Sequence, residues 1–440
     1  MASHSTPPLK SRGASSESGP TREASGVRAT ASRSGGRHDD PTPRVTLQRG
    51  SGASSESGPA REASGVRATA SRSGGRHDDP TPRVTLQRGR GATFNPANRY
   101  RRDTREAVDD GWTEAAGALA EDDPPPLKTF VTIQHARTII ARNDSPDIPF
   151  TQSINPYQGC EHGCTYCYAR PTHAYLDLSP GLDFETKLFA KPDAAALLKT
   201  ELSKPGYVCD PIAMGTNTDP YQPIERDWKI TRQILELLAA CDHPVAIVTK
   251  SALVERDIDL LGPMAAKNLA RVFLSITTLD RELARKLEPR AAAPHRRLDA
   301  VKALAQAGIP VGVMVAPIIP QLTDKDLEAI LEAAAANGAR WAGWTMLRLP
   351  YEVKELFRDW LLQHYPLRAG HVMSIVQQIR GGRDNDPNFG SRMRGSGLFA
   401  DLIERRFELV CKRLELNHAR APLDTSHFHP PRDEKQLSLF

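Results

Sequence analysis

The 440-residue sequence predicts an α/β fold: a partial parallel (β/α)6 barrel, related to the eight-stranded barrel, with a disordered N-terminal tail and a C-terminal helical extension. Three observations predict it. From Phe150 onward, short β-branched runs alternate with segments whose apolar residues recur every three or four positions, the rhythm of βαβ units on a parallel sheet. Beyond Pro350 only the helical periodicity continues. Before Ala92 large apolar residues are almost missing, so burial cannot offset the ordering entropy of that stretch.

The tail, residues 1–92, is rich in Ser, Gly, Arg and Ala and carries a tandem repeat with a 39-residue period. Gly13–Gly50 returns as Gly52–Gly89, and Thr21 against Ala60 is the single difference. Solenoid repeats need an apolar face for stacking; this one has none. Residues 1–110 hold 19 Lys+Arg against 12 Asp+Glu, leaving 39 against 41 for the rest. The basic character therefore belongs to the tail, where it suits loose contact with nucleic acid or simple solvation. Residues 93–149 read as a linker and N-terminal extension. The first aromatics stand at Phe94 and Tyr100, an acidic, Pro-rich stretch runs to Pro126, and Thr129–Ile140 is β-prone.

Residues 150–349 form the expected core. Strands are expected at Gln152–Asn155, Ile212–Met214, Val245–Thr249, Val272–Ile276, Val311–Val315 and Trp341–Met346. Between them the apolar spacing predicts helices over Asp193–Leu202, Trp228–Ala240, Arg256–Met264, Arg281–Leu287, His295–Ala307 and Asp326–Ala336. Thr323 and Asp326 have capping-box spacing, with Asp in place of the usual Glu. In such barrels the functional residues gather at the C-terminal ends of the strands.

Residues 350–418 predict amphipathic helices at Val353–Tyr365, His371–Ile379 and Leu398–Leu416 that cover the barrel. The Gly-rich loop between the last two carries Arg380, Arg383, Arg392 and Arg394 with Phe389. That set suits gripping phosphates while the ring stacks on a base; a solvated loop with paired Asp residues is the alternative.

The densest chemistry lies just after the first core strand. Cys160, Cys164 and Cys167 form a C-x3-C-x2-C array, with Gly159 and Gly163 letting the backbone aim three sulfurs at one point. Clustered thiolates select Fe–S clusters, zinc or copper(I). A 4Fe–4S cluster usually takes four protein ligands, so a set of three leaves one iron open to substrate or cofactor. Zinc held with His162 or a distant ligand is the alternative, yet structural zinc usually pairs two C-x2-C knuckles and the sequence has no second one. Cys209, Cys241 and Cys411 are widely separated, and six cysteines without regular pairing point to a reducing cytoplasm. No apolar run approaches a membrane span, and the N-terminus lacks the apolar core of a signal peptide.

The cysteine array, with Tyr166 before its last member, resembles the signature of the radical S-adenosylmethionine (SAM) enzymes. Asn155–Tyr157, Met214–Gln222, Val248–Ser251, Leu274–Thr278, Leu287–Arg290 and Val315–Pro320 extend the likeness. Through these pieces the core resembles the branch related to spore photoproduct lyase, often labelled DNA-repair-photolyase-like, and the wider chain is similar to a bacterial subgroup. The resemblance implies that Cys160, Cys164 and Cys167 hold a 4Fe–4S cluster and that Tyr166 lies near the adenine of SAM. It implies that Gly215, Thr216 and Asn217 meet the SAM amino group, and that Lys250 and Ser275 meet its carboxylate and ribose. Photoproduct lyases use a cysteine on the second-strand turn as hydrogen donor, assisted by tyrosines matching Tyr166 and Tyr168. Here Thr216 stands at that position, and a hydroxyl hydrogen is a poor radical donor. Cys209 lies seven residues earlier, entering the strand, so photoproduct reversal itself is not expected.

The implied activity is reductive cleavage of SAM to a 5′-deoxyadenosyl radical, fed by an external one-electron donor and directed at nucleic acid in a DNA-repair-like role. A radical SAM enzyme modifying a protein or small molecule is one alternative, and a non-enzymatic, metal-stabilised adaptor is another. Residues 419–440 read as a flexible, Pro-rich tail ending Gln436-Leu437-Ser438-Leu439-Phe440. That pentapeptide resembles the motif by which bacterial replication and repair proteins dock on the DNA polymerase sliding clamp, the linker supplying reach; packing of Leu439 and Phe440 back onto the barrel is the alternative.

Overall fold

The computed structural model describes residues 89–100, 127–418 and 421–431. The duplicated tail up to residue 88, residues 101–126 and the Gln436–Phe440 peptide lie outside the described residues. The β-prone run yields two strands, β1 (Phe130–Ile133) and β2 (Ile140–Arg142). They are followed by β3 (Gln152–Ile154), β4 (Tyr157–Gln158), β5 (Lys187–Ala190), β6 (Ile212–Met214) and β7 (Val245–Thr249). The last three are β8 (Ala270–Ser275), β9 (Val311–Ile318) and β10 (Trp341–Met346).

A seven-stranded sheet runs β10-β9-β8-β7-β6-β3-β2. Its six strands β3 and β6 to β10 are parallel, and β2 pairs antiparallel with β3 at the edge. Strands buried on both faces need continuous apolar runs. β8, Ala-Arg-Val-Phe-Leu-Ser, is buried at every position. The intervening helices each bury one stripe, as Ile230, Ile234, Leu235 and Leu238 do on helix Ile230–Ala240. The expected partial (β/α)6 barrel is the architecture of this chain. The register sets Met214 beside Ile247, Thr249 beside Leu274 and Ser275 beside Met314, so the strand ends that carry the site lie side by side. A smaller sheet, β1-β5-β4, flanks the entry to the cysteine loop.

Several boundaries differ from expectation. The helix expected from His371 starts at Pro366, because proline at a first helical position has no N–H to lose. Thr323 and Asp326 do not form a capping box: Thr323 Oγ1 accepts from the Ile319 N–H at 2.8 Å, and Asp326 accepts from the Thr278 hydroxyl. The pair serves tertiary contacts instead. Helices Val353–His364 and Pro366–Gln378 pack their buried faces against Leu283, Leu287, Cys164 and Tyr166, so the C-terminal extension braces the cysteine loop. Trp360 Nε1 donates to the Lys286 carbonyl at 3.0 Å within that contact. No helix among the described residues is long and apolar enough to cross a membrane.

Both ends assigned to flexible segments are anchored where they are described. Residues 89–92 belong to the folded body rather than to the tail, because Arg90, Gly91 and Ala92 are buried against the cysteine loop. The Gly91 and Ala92 N–H groups donate to the Glu185 carboxylate at 2.9 and 2.8 Å. A Cβ on Gly91 would lie 1.7 Å from the Gly163 carbonyl oxygen, so only glycine lets the strap cross there. Residues 421–431 likewise pack across the opposite end of the barrel. Phe428 stands edge-on between Tyr207 and His243, at 5.5 and 5.2 Å, and Arg271 holds the Ala421 carbonyl at 2.8 Å.

The cysteine loop is held by a buried ion pair. Arg170 and Glu185 are fully buried and hydrogen-bonded to each other. The same guanidinium donates to the carbonyls of Cys164 at 2.9 Å, Pro180 at 3.1 Å and Gly181 at 2.9 Å. Removing one partner of such a pair strands a desolvated charge. Arg170→Met is expected to lower stability by about 3–5 kcal/mol, read as the shift in urea midpoint at unchanged slope. A shift worth less than about 1 kcal/mol would match an exposed pair instead.

Candidate active site at the cysteine loop

Hydrogen bonds from three parts of the chain set the path of Cys160–Cys167. The Cys160 N–H donates to the Phe184 carbonyl at 3.0 Å, and Thr165 N–H to the Leu287 carbonyl at 3.1 Å. Gln222 clasps the first turn, donating to the Gly159 carbonyl at 3.1 Å and accepting from the Glu161 N–H at 2.9 Å. Gly159 has φ +76°, and a Cβ there would meet Leu188 at 2.6 Å. Cys160 and Cys164 are buried and Cys167 is half-buried. Burial pushes the Cys164 thiol up to about 12 and Cys160 well above its ordinary value. His162 faces Asp219, with Nδ1 3.4 Å from its carboxylate. Among the described residues no three Cys, His, Asp or Glu side chains converge on a single metal ion.

The strand ends supply the facing groups. Gly215, after β6, has φ +87°, and a Cβ there would lie 1.8 Å from the Val248 carbonyl oxygen. Thr216 and Asn217 continue this turn half-exposed. The Tyr168 hydroxyl donates to the Thr216 carbonyl, joining the cysteine loop to the turn. Asp219 accepts from the Thr249 hydroxyl and the Lys250 N–H, both at 2.7 Å. Lys250 does not run out to solvent: Nζ donates to Ser275 Oγ at 3.1 Å and sits 5.9 Å from the Tyr166 ring centroid. Ser275 Oγ in turn lies 3.2 Å from the Ala316 carbonyl. The residues expected at the SAM site, Tyr166, Gly215, Thr216, Asn217, Lys250 and Ser275, thus share one end of the barrel.

A group that sequence reasoning left without a role lies beneath them. The Tyr166 hydroxyl donates to Glu288, which also accepts from Thr277 at 2.6 Å and pairs with the fully buried Arg297. Arg297 reaches the Ser275 carbonyl at 2.8 Å, closing the network below Lys250. Burial acts to raise the Glu288 carboxyl, but Arg297, Lys250 and the hydrogen bonds hold it at about 2. The Leu287–Arg290 motif was the signal; its distance in sequence from Tyr166 hid the partner.

Other expected residues lie elsewhere. Cys209 precedes β6 at the opposite end of the strands, and burial pushes its thiol up to about 12, so it is not placed to donate hydrogen at the site. In the arginine loop, Arg380 is buried and donates to the carbonyls of Ser391, Arg392 and Leu347, so it cannot reach a phosphate. Arg392 is held by Asp147 through Nε at 2.7 Å and Nη2 at 2.6 Å. Arg394 lies over the Trp344 ring at 4.2 Å yet stays exposed, as Arg383 and Phe389 do. Folding thus turns Arg380 and Arg392 to internal contacts and lays the exposed Arg394 on Trp344.

Fold and site together define a class of protein, an α/β barrel with a three-thiol loop at its mouth, and comparison with known proteins places it. Residues 154–334 match the Radical SAM superfamily. A protein of Mycobacterium tuberculosis described as uncharacterised is 36% identical over 281 residues, spanning 63% of this chain and 79% of that protein. One from Methanocaldococcus jannaschii, described likewise, is 30% identical over 213 residues, 48% of this chain and 76% of its own length. The structure of spore photoproduct lyase complexed with dinucleoside spore photoproduct aligns with TM-score 0.47 and 18% identity, covering 64% of this chain and 79% of that one. The chain belongs to the radical SAM superfamily; it is an enzyme that uses a 4Fe–4S cluster and SAM.

The Glu288 carboxylate gives a pH prediction. Its folded value of about 2 lies below the ordinary 4.5, so its contribution is fully present above pH 4.5 and is lost as the pH falls toward 2. In the cluster-free protein, the melting temperature of Glu288→Gln should start lower at neutral pH and fall less steeply than wild type below pH 4.5. Parallel curves would remove Glu288 from the acid response.

Proposed function

We propose that this radical SAM enzyme acts on nucleic acid, with Cys160, Cys164 and Cys167 as the cluster ligands. The donor set supports the ligand assignment: three thiols on one glycine-shaped loop, two of them buried, are the soft donors that an iron–sulfur cluster takes. A cubane offers each thiolate its own iron, so the sulfurs need not meet at one ion. Lys250, held by Ser275, suits the SAM carboxylate, and the tight turn at Gly215, which a Cβ would block, suits the SAM amino group. When bound, the cluster and SAM supply a 5′-deoxyadenosyl radical that takes a hydrogen atom from substrate. The chain's own part is positioning. Tyr168 ties the cysteine loop to the Thr216 turn, and Glu288 fixes the Tyr166 ring beneath Lys250.

The observation that carries the nucleic-acid reading is the rim beside Tyr168. Tyr100, Tyr168, Tyr175 and Tyr351 are 56%, 48%, 71% and 64% exposed. Arg99 lies among three of them, 4.8 Å from the Tyr100 centroid, 5.7 Å from Tyr175 and 4.3 Å from Tyr351. Exposed rings around a guanidinium form a stacking platform for unpaired bases. Thr216 at the donor position again speaks for a reaction other than photoproduct reversal. The Gln436–Phe440 peptide is proposed to recruit the enzyme to the sliding clamp, on the likeness of its Gln-Leu-Ser-Leu-Phe sequence to the clamp-docking motif.

Anaerobic reconstitution with iron and sulfide, followed by dithionite and SAM, tests the reading through 5′-deoxyadenosine formation. Wild type should form it, faster with single-stranded DNA or RNA, and Cys160/Cys164/Cys167→Ala should form none. Tyr175→Ala should weaken oligonucleotide binding by about tenfold, the scale of one lost base stack. Stimulation by peptides but by no nucleic acid would replace the substrate assignment.

A further inference from the structure

Arg348 follows β10 at the barrel end that carries Lys250 and Ser275. Its guanidinium carbon lies 5.4 Å from the centroid of Tyr168, the ring bonded to the Thr216 carbonyl. Its Nε is buried and, among the described residues, donates to nothing. Among the same residues its Nη1 reaches only the Met393 sulfur at 3.7 Å, a weak acceptor. The surrounding arginines are engaged: Arg99 with Glu352 at 2.8 Å, Arg392 with Asp147, Arg380 with three carbonyls. Asp147, a carboxylate near enough to act on Arg348, is gripped by both Nε and Nη2 of Arg392. Burial and the neighbouring Arg392 disfavour the Arg348 cation, yet arginine does not release its proton in proteins.

A partly desolvated guanidinium without a carboxylate is unfavourable unless a bound ligand supplies the anion. Arg348 also lines a cavity of about 220 Å³ with Arg99, Tyr168, Tyr175 and Tyr351. The planar fork of an arginine matches two oxygens of a phosphate, and the tyrosines offer flat faces beside it. We propose that Arg348 receives a backbone phosphate of the substrate strand, adjoining the nucleotide whose base lies against Tyr168. The assignment names a contact within the nucleic-acid reading and rests on it. Arg348 is a positioning residue: it sets the register of the strand along the rim.

The test uses the reconstituted enzyme with SAM and a fluorescent single-stranded oligonucleotide, each backbone linkage replaced in turn by a neutral methylphosphonate. In wild type, one linkage should weaken binding about tenfold when neutralised, the scale of a charge-assisted hydrogen bond. Arg348→Gln should weaken the unmodified strand to a similar extent and become indifferent to that linkage, and its log K against log salt slope should flatten by about 0.7. Arg348→Lys should keep the salt slope but lose most of the linkage preference. Wild-type affinity that is uniform across all linkages overturns the assignment without any variant. So does oligonucleotide binding by Arg348→Gln with wild-type strength and salt slope, although the nucleic-acid reading then stands. Failure of every oligonucleotide to bind, together with Arg348-dependent binding of a carboxylate peptide, overturns both.

Discussion

The buried pair of Arg170 and Glu185 is the constraint on which the site depends. Arg170 sits three residues after the last cysteine and uses its remaining donors on the carbonyls of Cys164, Pro180 and Gly181. Glu185 turns the other way and accepts the N–H groups of Gly91 and Ala92. One ion pair thereby ties together the cysteine loop, the segment entering β5 and a strap from the chain's N-terminal side. The interior tolerates two charges there because nearly every donor and acceptor they present is matched.

A second buried charge cluster, Glu288 with Arg297, repeats the device beneath Tyr166, Lys250 and Ser275. It holds Tyr166 from below and the Ser275 backbone from behind, and Ser275 in turn orients Lys250. The two clusters bracket the cysteine loop, with helices Val353–His364 and Pro366–Gln378 closing the remaining side through an apolar contact. Packing of this kind limits the loop to one conformation. A radical reaction needs that rigidity, because hydrogen transfer depends on reacting groups held close and water kept out.

Much of this was legible beforehand. All six parallel strands stand within a few residues of where β-branched runs place them, since burial on both faces leaves an unbroken apolar signature. The cysteine array, the Gly215 turn, Lys250 and Ser275 could be singled out because each lies at or just after a strand end that is readable locally. The arginine loop shows the limit. Its charges suggest a phosphate grip, but Arg380, Arg392 and Arg394 find a backbone cage, Asp147 and Trp344 from distant parts of the chain. Arg348 shows the reverse, a cation unremarkable in sequence whose lack of a carboxylate among the described residues is evident only after folding.

The sequence by itself determined the barrel, the thiol array and the family, because period-2 and period-3.6 patterning and short ligand spacings are properties of neighbouring residues. Tertiary structure alone decided which charges are paired and which stay available. Arg170 meets residues 90–92 through Glu185, Tyr166 meets Glu288 across 122 positions, and residues 421–431 return to the far end of the barrel. Such partners are chosen by desolvation and geometry over long loops, where composition carries no record of which carboxylate a given arginine will reach.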